Sequence, residues 1–323
     1  MRAAVLHTPG EPPTFGDHPE PPVGDGRTRV RVSAAPVVPL DLLCASGTSY
    51  FGVPRTPYVP GVQGVGVVDA SRSYAAGQRV WFATSAGMAA GDGSLAELCD
   101  VADEDVVPLD SDVPDATVAA LGLSAVAAWM ALSWRSGLRV GEVVVVLGGG
   151  GAVGQTGIGA AKALGAGRVI AVARSEAARE RAARAGADVV VPLVDDVATL
   201  AGAIGEAAGG PVDVVLDPVF GVAATAASRV LGTGGRIVNL GGAAGDEAVF
   251  SSAVLRSRSA EVRGYTNNSL SAEQRAQALT EVLRHVAAGH ISLSYETLPL
   301  GEVREAWLRQ SSGASPQRMV MLP

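Results

Sequence analysis

Three glycines, Gly149, Gly151 and Gly154, have the spacing G-x-G-x-x-G and follow the apolar run Val143-Val144-Val145-Val146-Leu147-Gly148. A strand that ends in such a turn and opens a helix leaves backbone N–H groups without partners, and those groups bind phosphate. The first glycine permits a tight turn, the second lets the backbone approach a pyrophosphate, and the third lets helix and strand pack closely. Ala152 and Val153, between the second and third glycines, sit where the helix begins. The pattern points to a dinucleotide.

A second constellation selects among dinucleotides. The next apolar strand, Arg168 to Ala173, runs into Arg174-Ser175. Sites for NAD place an acidic residue at this strand end to hold the ribose 2′-OH. Ala173 stands there instead. Arg174 and Arg179, with Ser175, suit a 2′-phosphate, because a guanidinium grips phosphate through two N–H groups. Glu176 opposes such a ligand if it turns inward. The expected coenzyme is NADPH. Asn239, Leu240 and Gly241 end a later strand and are expected near the nicotinamide.

These residues need a scaffold. Val143–Leu147, Arg168–Ala173, Val189–Val191, Asp213–Leu216 and Arg236–Leu240 read as strands, with helices at Gln155–Gly165 and Glu176–Ala185. Apolar strands alternating with helices imply a parallel sheet covered on both faces. Ligands of such sheets lie outside the carboxyl ends of the strands. Before Asp115 the texture differs. Short β-like runs (Arg27–Ala34, Val65–Asp69, Arg79–Phe82, Ser94–Val101) between proline and glycine turns imply a mostly antiparallel domain. Thr117–Ser133 is an alanine-rich helix. Ser271–Ala288 is an amphipathic helix, with Ser271 as cap and Gln274 three residues on. Gly301–Gln310 and Met319–Leu322 follow as helix and strand. The expected division is 1–115 with 266–323, and 116–265.

The composition narrows the class. With 48% hydrophobic and 18% charged residues the chain can bury large cores, and a net charge of −7 argues against nucleic acid or an anionic membrane as main partner. Cys44 and Cys99 are the only cysteines, too few for a disulfide framework or a four-cysteine zinc site. A cytoplasmic location is expected, without a signal peptide. The glycines, Lys162 and Arg168 within 143–173 speak against a membrane span.

Several motifs together resemble the medium-chain dehydrogenase/reductase superfamily, in its zinc-independent quinone oxidoreductase-like branch. Met1-Arg2-Ala3-Ala4-Val5 is similar to the family's opening strand, and Pro60-Gly61-Val62-Gln63-Gly64-Val65-Gly66-Val67-Val68 to its P-G-x-E-x-x-G-x-V. Gly122-Leu123-Ser124-Ala125-Val126-Ala127-Ala128-Trp129 resembles G-L-T-A-x-x-A, Asp213-Val214-Val215-Leu216-Asp217-Pro218-Val219 resembles D-V-V-x-D-x-V, and Gly234-Gly235-Arg236-Ile237-Val238 with Gly241 resembles the fifth-strand motif. The resemblance implies an α/β fold: a Rossmann doubly wound parallel sheet plus a GroES-like, mostly antiparallel β catalytic domain. It also implies a homodimer paired through the sheet edge near Ala260–Tyr265.

Zinc members place a cysteine three residues before an aspartate and a His-Glu pair after the P-G turn. With Asp41 as that aspartate, those positions are Val38 and Val62-Gln63. Valine cannot ligate, and catalytic zinc needs three protein ligands, so no metal is expected. Without a Lewis acid, oxidation of a plain alcohol loses its activator, whereas an enone, enal or quinone accepts hydride because its own oxygen absorbs the charge. The resemblance makes Tyr50 and Tyr265 the candidate proton donors, and Ser124, in the family threonine's place, a cofactor contact. Arg318 is a further candidate phosphate contact. Leu193, Val38 and Ala45 replace the tyrosine, asparagine and arginine usual in the branch. The expected function is therefore an NADPH-dependent reductase of an apolar, electron-poor C=C bond or quinone. The alternatives are a redox-neutral cyclase or isomerase on the same fold, and a non-catalytic NADPH-binding protein.

Overall fold

Short strands joined by glycine and proline turns build the first of two units in the computed structural model, which describes residues 1–313 and 317–323. This unit comprises Met1–Leu123 and Ser294–Pro323. β1 (Arg2–Val5) pairs antiparallel with β2 (Thr14–Asp17). β3 (Arg27–Val37) carries α1 (Pro39–Ser46) at its end and pairs antiparallel with β4 (Gln63–Ser71). β5 (Arg79–Ala83) pairs antiparallel with β4, β6 (Leu98–Ala102) with β3, and β7 (Val106–Pro108) with β5. The two-residue strand period sorts β3 by chemistry. Val30 and Val32 are buried, whereas Arg29 and Arg31 reach Asp69 at 2.7 and 2.6 Å.

α2 (Asp115–Met130) crosses from the first unit to the second and is kinked at Gly122 (φ 31°, ψ −126°). The run Asp115–Arg135 is long and apolar enough to cross a membrane by length and composition, but 72% of its window is buried inside the fold, as in a core helix.

The second unit, Ser124–Leu293, alternates strand and helix: β8 (Val143–Leu147), α3 (Ala152–Ala163), β9 (Arg168–Ala173), α4 (Glu176–Arg184), β10 (Val189–Pro192) and α5 (Val197–Ala208). There follow β11 (Val212–Asp217), α6 (Gly221–Ser228), β12 (Leu231–Asn239), α7 (Ser252–Arg258), β13 (Glu261–Gly264) and α8 (Ala272–Ala287). The six strands are parallel in the order β10-β9-β8-β11-β12-β13. This is a doubly wound sheet, and its order reverses between β8 and β11. Val144 to Leu147 are fully buried, which explains the unbroken apolar run. The chain then rejoins the first unit as β14 (Tyr295–Pro299), α9 (Val303–Ser311) and β15 (Arg318–Leu322), with β15 parallel to β14 and antiparallel to β3.

The fold is the expected pair of a Rossmann sheet and a mostly antiparallel β unit. The division falls at 123/124 and 293/294 rather than at 115/116 and 265/266. α8 explains the later return: its buried His285 lies with its ring 5.3 Å from that of Trp129, so this helix packs in the second unit. Its expected capping box is present. Ser271 Oγ accepts the Gln274 N–H at 3.1 Å, and Gln274 Oε1 accepts the Ser271 N–H at 3.0 Å.

Candidate active site

The glycine loop follows from packing. A Cβ on Gly149 would lie 2.7 Å from Ala171 Cβ, and one on Gly154 would lie 2.2 Å from the Gly148 carbonyl oxygen. Loop, β9 and α3 therefore approach closely only without side chains at these positions. Gly151 differs: a Cβ there would meet nothing nearer than Gly148 O, at 3.4 Å. Gly151 is the N-cap of α3 and supplies no side-chain cap, so the first N–H groups of α3, at Ala152 and Val153, are left for an outside acceptor. An open glycine beside an uncapped helix start, next to the point where the strand order reverses, fits a dinucleotide pyrophosphate. Sequence reasoning missed Gln155 and Arg181. Both donate to the Gly150 carbonyl, at 3.0 and 2.9 Å.

At the end of β9, Ala173 is buried and Arg174 and Ser175 are exposed. Ser175 Oγ accepts the Ala178 N–H at 3.2 Å and so caps α4. Arg179 Nη1 donates to the Arg174 carbonyl at 2.6 Å. Ser175 and Arg179 thus shape the turn that presents Arg174.

The ends of β11 and β12 are tied together. Buried Asp217 accepts the N–H groups of Val219 (3.0 Å) and Phe220 (2.7 Å) with Oδ1. Asn239 Nδ2 donates to Asp217 Oδ2 (3.1 Å) and to the Gly241 carbonyl (2.8 Å), and the Leu240 N–H donates to the Asp217 carbonyl (2.9 Å). Burial raises the Asp217 carboxyl pKa against the pull of these donors. Phe220 takes φ 61° and ψ −153°, a region costly for a residue with a Cβ. Tyr265 follows β13. Its N–H donates to the Asn239 carbonyl at 2.8 Å, its hydroxyl donates to Asn267 Oδ1 at 2.7 Å, and burial raises the phenol pKa. Gly149, Gly151 to Gly154, Arg174, Ser175, Arg179, Asn239 to Gly241 and Tyr265 thus all lie at the carboxyl ends of strands in one sheet. Ser124 is the first residue of the same unit.

Tyr50 lies in the first unit, beyond the left-handed Gly47 that ends α1. It is 81% exposed, with its ring 4.2 Å from Phe51. Trp81 and Phe82 are fully buried core residues. Arg318, expected as a phosphate contact, is a correction. It is 7% exposed, donates to the Val37 carbonyl at 3.3 Å and lies within the electrostatic reach of Asp41, because β15 is buried against β3.

The position where zinc members bind their metal has donors of the wrong kind. Asp41 is buried, and its two oxygens accept the N–H groups of Val38 (2.8 Å) and Val62 (2.9 Å). Burial pushes its carboxyl up to about 6, against those bonds and the charge of Arg318. Cys44 is buried, its thiol pushed up to about 11 by burial and by Asp41. Val38 and Val62 carry no ligand atom. Among the described residues no three His, Cys, Asp or Glu side chains gather as metal ligands. This residue set does not fit zinc. Gln63, in the usual glutamate position, has another task. Its Oε1 accepts from Trp81 Nε1 (3.2 Å) and from the Leu123 N–H (2.6 Å), which fixes the kink in α2.

Comparison with known proteins agrees with this geometry. Residues 24–111 match the alcohol dehydrogenase GroES-like domain, and residues 152–285 match the zinc-binding dehydrogenase domain. The alcohol dehydrogenase of Geobacillus stearothermophilus is 30% identical over 268 residues, covering 75% of this chain and 77% of the relative. The chain belongs to the medium-chain dehydrogenase/reductase superfamily. Within it the chain falls in the quinone oxidoreductase-like branch. The Thermus thermophilus quinone oxidoreductase, solved alone and with NADPH, superposes with a TM-score of 0.81 at 25% identity over 100% of both chains. A phenolphthiocerol/phthiocerol polyketide synthase subunit of Mycobacterium tuberculosis is 30% identical over 93% of this chain, which spans only 14% of that subunit's length.

Proposed function

We propose that the chain is an NADPH-dependent, zinc-independent reductase of an electron-poor C=C bond or quinone. The observation that carries this reading is the open glycine loop at the uncapped start of α3, with Ala173 where NAD sites carry an acid and Arg174 exposed beside it. The N–H groups of Ala152 and Val153 would hold the pyrophosphate, and Arg174 the 2′-phosphate, with Ser175 and Arg179 ordering its turn. Asn239, Leu240 and Gly241 would flank the nicotinamide, and Ser124 the adjoining ribose or phosphate. The bound coenzyme supplies hydride. The chain's part is to hold the acceptor, exclude water and give a proton to the developing enolate. Tyr265 is the favoured donor, because its hydroxyl is already oriented by Asn267 and its backbone is tied to the end of β12 through the Asn239 carbonyl. Tyr50 is the second candidate. The likeness to a polyketide synthase subunit supports an apolar, acyl-chain enone as substrate. A homodimer is part of the same reading, supported by β13 forming an edge of its sheet. So is a cytoplasmic location.

Calorimetric titration of wild type and Arg174→Ala with NADPH and NADH tests the coenzyme. We expect wild type to prefer NADPH and the variant to lose about tenfold in NADPH affinity with little change for NADH. Tighter NADH binding by wild type overturns the assignment. A panel of enones and quinones, followed by nicotinamide absorbance and product analysis, tests the reaction. Conversion of substrate without NADPH consumption would instead support a redox-neutral isomerase or cyclase.

A further inference from the structure

We propose that Arg181 and Gln155 act as positioning residues that clamp the Gly150 carbonyl and so preset the glycine loop for a dinucleotide pyrophosphate; this deepens the coenzyme reading above and rests on it. Two side-chain donors from different helices meet on one backbone oxygen. Arg181 Nε, from α4, lies 2.9 Å from Gly150 O, and Gln155 Nε2, from α3, lies 3.0 Å from it. Gln155 is 4% exposed, so this contact forms inside the fold.

A trans peptide is planar, with its C=O and N–H pointing opposite ways. Fixing the Gly150 carbonyl therefore fixes the Gly151 N–H, which meets the Gly148 carbonyl at 2.9 Å and closes the turn. That turn sets the open side of Gly151 and the start of α3. The loop is also pressed onto α4, since a Cβ on Gly150 would lie 2.5 Å from the Ala178 carbonyl oxygen. The clamp is needed because Gly148 to Gly151 is an unbroken glycine run, with more backbone freedom than any other four residues. Left loose, the run would have to be ordered by the ligand, at the expense of affinity. Arg181 is thus assigned to the loop rather than to the 2′-phosphate.

The test compares two probes on the full chain. NADPH carries the pyrophosphate, and adenosine 2′-phosphate carries the 2′-phosphate without it. Arg181→Met is expected to weaken NADPH about tenfold, the loss of a charge-assisted hydrogen bond, and to leave adenosine 2′-phosphate unchanged. Arg181→Lys should recover most of the loss, and Gln155→Leu should weaken NADPH about threefold. Unchanged NADPH affinity in both Arg181→Met and Gln155→Leu overturns the clamp. So does an equal loss for both probes, which would mark general damage to the domain. If wild type binds no NADPH, the coenzyme reading itself fails, a separate result.

Discussion

Arg236 offers the sharpest test of how the sheet is held together. It lies on β12, is 7% exposed and makes five hydrogen bonds. Nε donates to the Ser136 carbonyl (2.8 Å), and the two terminal nitrogens reach the Gly137 (3.0 Å) and Asp213 (3.2 Å) carbonyls. The same nitrogens clasp both Glu142 oxygens, at 2.8 and 2.7 Å. One side chain thus joins β12 and β11 to the turn before β8. Arg236→Met keeps much of the volume but strands a largely buried carboxylate and three carbonyls. Breaking one side of a buried pair costs about 3–5 kcal/mol. In a unit of this size 1 kcal/mol moves Tm by about 2–4 °C, so thermal unfolding at neutral pH should drop by about 12 °C. Burial raises the Glu142 pKa, but the hydrogen bonds and charge of Arg236 and the Arg139 N–H outweigh it, and the carboxyl is held below its ordinary value. A lowered carboxylate contributes stability that is present above its unfolded pKa and lost as pH falls through the folded one. The gap between wild type and variant should therefore narrow in acid. Glu142→Gln in the Arg236→Met background should recover part of the loss, since no charge is then stranded. A drop below about 1 kcal/mol, or a gap that does not change with pH, would refute the reasoning.

Asp41 should behave with the opposite sign. Its folded pKa is raised from 3.8 to about 6, so stability is greatest in acid and falls by about 3 kcal/mol as pH rises through that window. Asp41→Asn removes this slope but keeps one acceptor oxygen for two N–H groups. It should be less stable than wild type by about 1–3 kcal/mol near pH 4, with the gap closing by pH 7 in urea titrations; a constant gap rejects the account. Gly122→Ala should destabilise by at least about 2 kcal/mol, because a Cβ there would lie 1.8 Å from Gln63 Oε1 at a φ of 31°. Gln63→Ala in the same chain should return part of that loss by making room, and absence of any rescue in paired melts would show that backbone strain alone is responsible.

Local pattern carried far in this chain. The valine run of β8, the glycine spacing after it and the capping residues of α8 each depend on neighbours within a few positions, so element type and the glycine loop are legible in sequence. The aromatic and arginine candidates fared differently. Nothing near Tyr50 says that it is exposed, and nothing near Arg318 says that it is buried beside Asp41. Ser175 reads equally well as a phosphate ligand or as the cap of α4, and the fold uses it as the cap.

The sequence by itself determined a doubly wound sheet, its glycine loop and the missing acid at the end of β9, because hydrophobic period and glycine sterics act over one or two turns of chain. Only the tertiary structure decided what Gln63, Gln155, Arg181 and Arg236 do. Gln63 meets Leu123 across 60 positions, Arg181 meets Gly150 across 31, and Arg236 meets Glu142 across 94. A polar side chain's partner is set by which backbone groups the packed strands and helices leave unpaired beside it, and that is fixed only once distant segments have come together.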